Sequence, residues 1–316
     1  MKMRALGRSG LSTAPVVFGG NVFGWTADEK TSFDLLDRFF DAGFNTIDTA
    51  DVYSAWVDGH VGGESEAIIG KWLKRGRVAR DKMVIVTKVG FDNKGNKTGL
   101  KPAWIRQAVE ASLTRLGTDY IDLYLAHKPD EDTPIEETLE AFAALKAEGK
   151  VRAIGCSNYD ADQLEASFAA ARDNGLPRFD VLQPEYNLYT RDTFEGPIRD
   201  LCMREEIGVI SYYALASGFL TGKYRKAEDA QGVARGDGIG DYLDDKGHRV
   251  LAALDQVAAE TGTTPATVAI AWVAARPGIT APIASATSLR QLDSLVAAGR
   301  LELSAAQMSL LTEAGA

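Results

Sequence analysis

Asp48, Tyr53, Lys88 and His127 are the residues of this chain whose types and spacing could move a proton. The stretch Asn45-Thr46-Ile47-Asp48-Thr49-Ala50-Asp51-Val52-Tyr53 reads as an apolar strand ending in a carboxylate, with a phenol five positions later. Val84-Ile85-Val86-Thr87-Lys88 ends a second apolar run in a cation, and Tyr120 to Ala126 ends a third just before His127. An unperturbed phenol ionises near ~10, too high for an efficient proton donor at neutral pH. A neighbouring ammonium is expected to lower that value. A buried ammonium in turn needs a carboxylate partner, which Asp48 can supply. His127 can hydrogen-bond a carbonyl oxygen and orient it. The set reads as a proton donor with a tuning network. Tyrosine acids also suit isomerases and lyases, so residue types alone leave the reaction open. The three histidines, His60, His127 and His248, lack ligand spacing, and no metal is expected.

These residues converge only if their strands are neighbours, and the pattern of elements provides for that. Residues 2–15 read as a hairpin turning at Gly7-Arg8-Ser9-Gly10. Apolar strand runs follow at Val16 to Gly20, around Asp48, at Val84 to Lys88, Tyr120 to Ala126, Val151 to Cys156, Val181 to Gln183, Val209 to Tyr213 and Pro282 to Ala284. Between them lie helical patterns. Asp28 to Ala42 carries Phe33, Leu36 and Phe40 on one face, and Glu64 to Arg75 stops at Gly76. Pro102 to Leu116 opens on proline, and a helix to Gly149 opens on Thr133-Pro134-Ile135-Glu136, read as a capping box. Further helices start at Asp160, near Ile198, at His248, at Pro265 and at Leu289, with a Gly/Asp-rich loop over about 225–243.

Eight apolar runs alternating with helices predict an α/β fold, a closed (β/α)8 TIM barrel with an N-terminal β-hairpin and extra helices, as one domain over residues 1–316. A doubly wound open sheet is the other option, but no G-x-G-x-x-G follows any strand. Gly218-Phe219-Leu220-Thr221-Gly222-Lys223 is one residue short of a phosphate loop, with Tyr224 where Ser or Thr belongs. In such a barrel all strand C-termini share one face, and Asp48, Tyr53, Lys88 and His127 stand at or just past three adjacent ends.

Composition narrows the partners. The chain has 316 residues, 25% charged, with net charge -9 and no basic run, so a nucleic acid partner is not expected. No apolar stretch has the length of a membrane span, the N-terminus lacks a signal-peptide pattern, and Cys156 and Cys202 make no disulfide framework. A cytoplasmic protein with a small-molecule substrate is the expectation.

The motifs Ile47-Asp48-Thr49-Ala50 with Tyr53, Thr87-Lys88, Leu125-Ala126-His127, Gly149 to Asn158, Leu182 to Asn187 and Gly218 to Tyr224 resemble the aldo-keto reductases, in the bacterial-type branch related to potassium-channel β-subunits. The resemblance runs over nearly the whole chain. It implies a barrel that binds NADPH without a Rossmann fold, and a catalytic tetrad of Asp48, Tyr53, Lys88 and His127. Hydride would pass to a carbonyl carbon while Tyr53 protonates the oxygen. Gly20, Asn21, Val22 and Asp48 would join the cofactor site. Ser157, Asn158 and Gln183 would bind the carboxamide, and Tyr212 would stack on the nicotinamide. Tyr213, Ala214, Leu215, Ala216 and Ser217 would follow the pyrophosphate, with Lys223 and Arg235 reaching phosphates. Ser285, Thr287 and Gln291 would hold the adenosine end. Trp25, Tyr53, Trp56, Phe91, His127 and Tyr186 are the expected substrate walls. Tyr213-Ala214 stands where many relatives have Ser-Pro, Ser285 where glycine is common, and Ser294-Leu295 where a Glu-Asn pair is common. The expected activity is reduction of aldehydes or ketones. The alternative is a cofactor-binding protein of slow turnover, like the channel β-subunits.

Overall fold

Each apolar run becomes a strand of one parallel sheet in the computed structural model, which describes residues 1–91, 99–234, 236 and 238–316. The strands are β3 (Val17–Gly19), β4 (Thr46–Asp48), β5 (Val84–Val89), β6 (Ile121–Ala126), β7 (Val151–Ser157), β8 (Val181–Gln183), β9 (Gly208–Ser211) and β10 (Ala281–Ala284). They close in the order β10-β3-β4-β5-β6-β7-β8-β9. The expected (β/α)8 barrel is the observed one. Successive side chains of a strand point to opposite faces, so each strand feeds two cores. Val17, Val84, Val86, Leu123, Leu125, Ala153, Val181, Ile210, Ala281 and Ile283 fill the barrel interior. Ile47, Ile85, Tyr124, Ile154, Leu182 and Val209 face outward into the larger core under the helices.

The hairpin, β1 (Arg4–Ala5) paired antiparallel with β2 (Ser12–Thr13), adds Leu6 and Leu11 to the interior core. Gly7, with φ +57°, lies against the backbone of Asp180, Glu206 and Gly208, where any Cβ would collide. Only glycine allows that approach. The hairpin therefore plugs the end of the barrel where the strands start. Arg4 fixes it by donating from Nη1 to the carbonyls of Ala274 and Thr280 at 2.7 and 2.9 Å.

The helices fall where expected, with five differences, one being that the helix expected from His248 starts at Asp245. In α1 (Glu29–Asp41) the buried apolar face is Leu35, Leu36 and Phe39, while Phe33 and Phe40 lie at its edges, only partly buried. α2 (Glu64–Leu73) stops two residues before the expected Arg75. α3 (Pro102–Leu116) ends at Gly117 in the left-handed conformation, as its sequence predicts. α4 (Ile135–Ala147) has Pro134, not Thr133, as its cap residue. The Thr133 hydroxyl instead donates to Asp130 Oδ2 at 2.7 Å, so the expected capping box does not form. α5 (Ala161–Asp173), α6 (Pro197–Arg204), α7 (Asp245–Thr261), α8 (Pro265–Ala274) and α9 (Leu289–Ala298) complete the expected set. α10 (Ala305–Ala314) was not foreseen, although Ser304 and Gln307 form a capping box at its start. Among the described residues no helix is long and apolar enough to cross a membrane.

Candidate active site

The interior column ends in a polar residue on every strand but β3, where Gly19 stands. Two residues above Val86 comes Lys88, above Leu125 comes His127, and above Val181 comes Gln183. By the same alternation Asp48, Ser157, Tyr212 and Ser285 stand at the mouth. One face of the barrel thus gathers the residues that the sequence scattered over more than two hundred positions.

Asp48 and Lys88 are both buried, and Lys88 Nζ donates to Asp48 Oδ2 at 2.8 Å. The ammonium spends its other donors on the Thr49 carbonyl at 2.7 Å and the Tyr53 hydroxyl at 2.9 Å. Asp48 Oδ1 accepts from Gln183 Nε2 at 2.8 Å. The Tyr53 hydroxyl lies 3.3 Å from Asp48 Oδ2, a long and weak hydrogen bond. Burial and the Asp48 carboxylate push the Tyr53 phenol well above its ordinary value. That direction corrects the expectation drawn from the lysine alone: the nearby carboxylate and the loss of water outweigh the ammonium. Burial likewise lowers Lys88, against the pull of Asp48. The resting phenol is therefore fully protonated, with the Lys88 ammonium 2.9 Å from its oxygen.

His127 follows β6, and its backbone N–H donates to the Val89 carbonyl at 2.8 Å. Burial, then the charges of Lys88 and Lys128, push its pKa well below the ordinary histidine value. The ring is a neutral imidazole whose Nδ1 is buried without a partner. A neutral imidazole here can donate to or accept from a carbonyl-bearing guest without adding charge.

Next to this set runs an amide network. Asn158, held at φ +63°, donates from Nδ2 to the His127 carbonyl at 2.9 Å and to Ser157 Oγ at 3.1 Å. Its Oδ1 accepts from the Tyr212 hydroxyl at 2.7 Å, and Ser157 Oγ donates to the Gln183 carbonyl at 2.7 Å. Ser157, Asn158, Gln183 and Tyr212 are thus one connected patch of amide and hydroxyl groups beside Tyr53 and Lys88. Such a set can exchange hydrogen bonds with a carboxamide, as the chemistry of a nicotinamide requires. Beyond it, Tyr213, Ala216 and Ser217 take left-handed φ values of +57°, +45° and +56°. Non-glycine residues there carry strain, which concentrates at binding loops. The buried Asn187 holds the run in place: Nδ2 donates to the Tyr213 carbonyl at 3.1 Å while Oδ1 accepts from the N–H groups of Tyr189 and Thr190.

At the β10 end, Ser285 Oγ donates to Asn21 Oδ1 at 2.7 Å. The hydroxyl occupies the space that a Cβ on Gly19 would need. Gly20 begins the turn that carries Asn21, whereas the side chain of Val22 is buried in the outer core. Ala214 and Ala216 are also buried, so only their backbone is offered to a guest. Gln291 Oε1 accepts from the backbone N–H and hydroxyl of Thr287 at the start of α9. The side chain of Leu295, one of the two positions of the relatives' Glu-Asn pair, is buried against the core, while the partly exposed Ser294 accepts from Thr264. Lys223 Nζ lies over the Tyr224 ring at 4.6 Å. Arg235 lies outside the described residues.

Five of the six expected walls form one chain of rings. Trp25 meets Trp56 edge-on at 5.6 Å, Trp56 meets Tyr53 at 5.9 Å, Tyr53 meets His127 at 6.1 Å and His127 meets Phe91 at 5.0 Å. Trp56 and Phe91 remain 46% and 43% exposed, as the rim of an open mouth would be. Tyr186 is not a wall. It is buried against Trp272 and Phe194, and its hydroxyl donates to Glu195 at 2.5 Å. The backbone after β8 turns it away from the mouth toward α8.

The sequence reading missed Glu66 and Arg115. Glu66 is buried on α2, accepting from Thr87 Oγ1 at 2.6 Å and from Arg115 Nε at 2.7 Å. A carboxylate beside Ile68 and Ile69 on the inward face of a helix was the signal. Among the described residues no group of three or more His, Cys, Asp or Glu is placed to hold a metal ion.

Comparison with known proteins agrees with this geometry. The profile described as "Aldo/keto reductase family" matches residues 15–316. The chain is 34% identical over 320 residues to the "Uncharacterized oxidoreductase YrpG" of Bacillus subtilis (strain 168), covering 99% of this chain and 95% of that protein. It is 34% identical over 304 residues to the "Probable voltage-gated potassium channel subunit beta" of Arabidopsis thaliana, covering 92% and 89%. It is 34% identical over 295 residues to "Aldo-keto reductase YhdN" of Bacillus subtilis (strain 168), covering 91% and 83%.

Proposed function

The chain belongs to the aldo/keto reductase family, and from that premise we propose that it is an NADP(H)-dependent reductase of aldehydes or ketones, acting as a single barrel domain in the cytoplasm. The observation that carries the proposal is the contact of Lys88 Nζ with both Asp48, at 2.8 Å, and the Tyr53 hydroxyl, at 2.9 Å, under an open mouth. When bound, the dinucleotide supplies a hydride to the carbonyl carbon. Tyr53 gives its proton to the carbonyl oxygen, and Lys88 stabilises the phenolate left behind. Asp48 keeps Lys88 charged and aimed. His127, neutral because it is buried between ammonium groups, positions the carbonyl oxygen. Ser157, Asn158 and Gln183 would hold the carboxamide, Tyr212 would stack on the ring, and Tyr213 to Ser217 would follow the pyrophosphate. Asn21, Lys223, Ser285, Thr287 and Gln291 would serve the rest of the dinucleotide. The aromatic chain from Trp25 to Phe91 excludes water and lines the substrate side.

Tyr53→Phe tests the proposal. It is expected to lower kcat for an aldehyde by about 10²- to 10⁴-fold while NADPH binding, read by fluorescence, stays within about twofold. Unchanged turnover would remove Tyr53 from the proton path. Comparing NADPH with NADH at saturating aldehyde tests the cofactor. The likeness to a protein named as a channel β-subunit supports a second reading, a cofactor-retaining protein of slow turnover. Many turnovers per chain with a panel of aldehydes would exclude it.

A further inference from the structure

Lys128 lies just past His127, at the rim of the ring chain and exposed. Its ammonium stands over the Phe91 ring, 5.1 Å from the centroid, and Phe91 stands 5.0 Å from the imidazole of His127. Laid end to end, these contacts put the ammonium at most about 10 Å from the His127 ring. No carboxylate of the described residues lies within ion-pair distance of it. Deeper in, Asp48 and Lys88 pair, and Tyr53 and His127 are neutral. The whole chain, by contrast, carries a net charge of -9. A cation with no ion-pair partner among the described residues, at the rim of an acidic protein, therefore marks a place where an anion gains by approaching.

Resting on the carbonyl-reductase reading, the geometry points to a substrate class: aromatic aldehydes that carry a carboxylate on the far side of the ring from the carbonyl. The carbonyl oxygen sits between Tyr53 and His127, the ring lies among Trp25, Trp56 and Phe91, and the carboxylate meets Lys128. An aromatic ring is a spacer of suitable length for that gap, and its faces match the walls. Lys128 is a specificity residue and takes no part in hydride or proton transfer. Its charge is partly screened by water, so the preference is a modest one and salt-dependent.

The experiment compares 4-carboxybenzaldehyde with its neutral methyl ester, methyl 4-formylbenzoate, under NADPH oxidation at low ionic strength. The wild type is expected to favour the acid by about tenfold in kcat/KM, mostly through KM, and to lose most of that margin in 0.5 M salt. In Lys128→Met the ratio falls toward one. In Lys128→Arg it returns, and in Lys128→Glu it inverts. Equal kcat/KM for acid and ester in the wild type, or a preference that survives Lys128→Met, overturns the assignment while leaving the reductase reading standing. No oxidation with either aldehyde overturns both.

Discussion

Strand β5 sends Thr87 and Lys88 to opposite faces, and each ends in a buried cluster of carboxylate and cation. Inside the barrel, Lys88 joins Asp48, Tyr53 and Gln183. Outside it, Thr87 joins Glu66, which pairs with Arg115 of α3 under the loop that carries Asp51. The chemistry is nearly the same, but the surroundings differ. The inner cluster opens to the mouth and ends on the protonated phenol of Tyr53. The outer one lies between β5, α2 and α3, with Glu66 fully buried. There Arg115 packs so closely on Gly63 that a Cβ would have no room. It ends on groups that nothing satisfies: Asp51 Oδ1 and the Tyr124 hydroxyl are buried without partners. One pair lies under the open mouth and the other ties α2 to α3. The difference lies in what each cluster faces rather than in residue type.

The sharpest way to break this contrast is Lys88→Met. The substitution removes the donor to Tyr53 and leaves Asp48 with Gln183 and the long Tyr53 contact as its side-chain partners. The expected loss in kcat is about 10²- to 10⁴-fold, since the acid keeps its proton but loses the charge that stabilises its conjugate base. Stopped-flow and steady-state assays would read it. A loss below about tenfold would mean that the inner cluster is structural, like the outer one.

Arg115→Met is the matching change outside. It leaves the Glu66 carboxylate buried with only Thr87 to donate to it. Removing one partner of a buried pair costs about 3–5 kcal/mol, and the lower end applies because the Arg115 side chain is 28% exposed. Denaturant titration should show the midpoint falling while kcat of the folded enzyme changes less than about threefold. If activity fell as far as in Lys88→Met with no loss of stability, the two clusters would be one functional unit.

Much of this was legible in the chain because strand alternation is a local signal. Eight apolar runs gave the barrel, and the polar residue at the end of each run gave the mouth. Less legible was anything settled by partners distant in sequence. Gln183 reaches Asp48 across 135 positions, and Lys88 donates to the Thr49 carbonyl, a backbone group with no sequence signature. Thr133 abandons its expected cap for Asp130, three residues back. Tyr186 reads as a mouth aromatic because it follows β8, but Arg276 and Glu195 hold its hydroxyl beside α8. The direction of the Tyr53 shift was missed for the same kind of reason: a lysine could be read from sequence, the depth of burial could not.

The smallest expected effect belongs to Asp51, and it separates the clusters by pH. Burial, then the Glu66 charge, raises its carboxyl from 3.8 to about 7, against the opposing pull of Arg115 and Lys88. In the unfolded chain the same group loses its proton near 3.8. Between those values the folded state holds a proton that the unfolded state has lost, so stability falls as pH rises from about 4 to about 7, and the full penalty persists above that. Asp51→Asn cannot ionise and keeps the protonated side chain's shape. The variant's advantage in thermal midpoint should be smallest near pH 4 and grow by roughly 2–4 °C by pH 8. Taking the difference between the two proteins cancels the other titrating groups, Asp180 and Glu185 among them, whose carboxyls burial also raises. A difference that stays constant from pH 4.5 to 8 would show that Asp51 is ionised throughout. The outer cluster would then carry two opposed carboxylates on one arginine, and its contrast with the balanced inner cluster would rest on charge as well as on what each one faces.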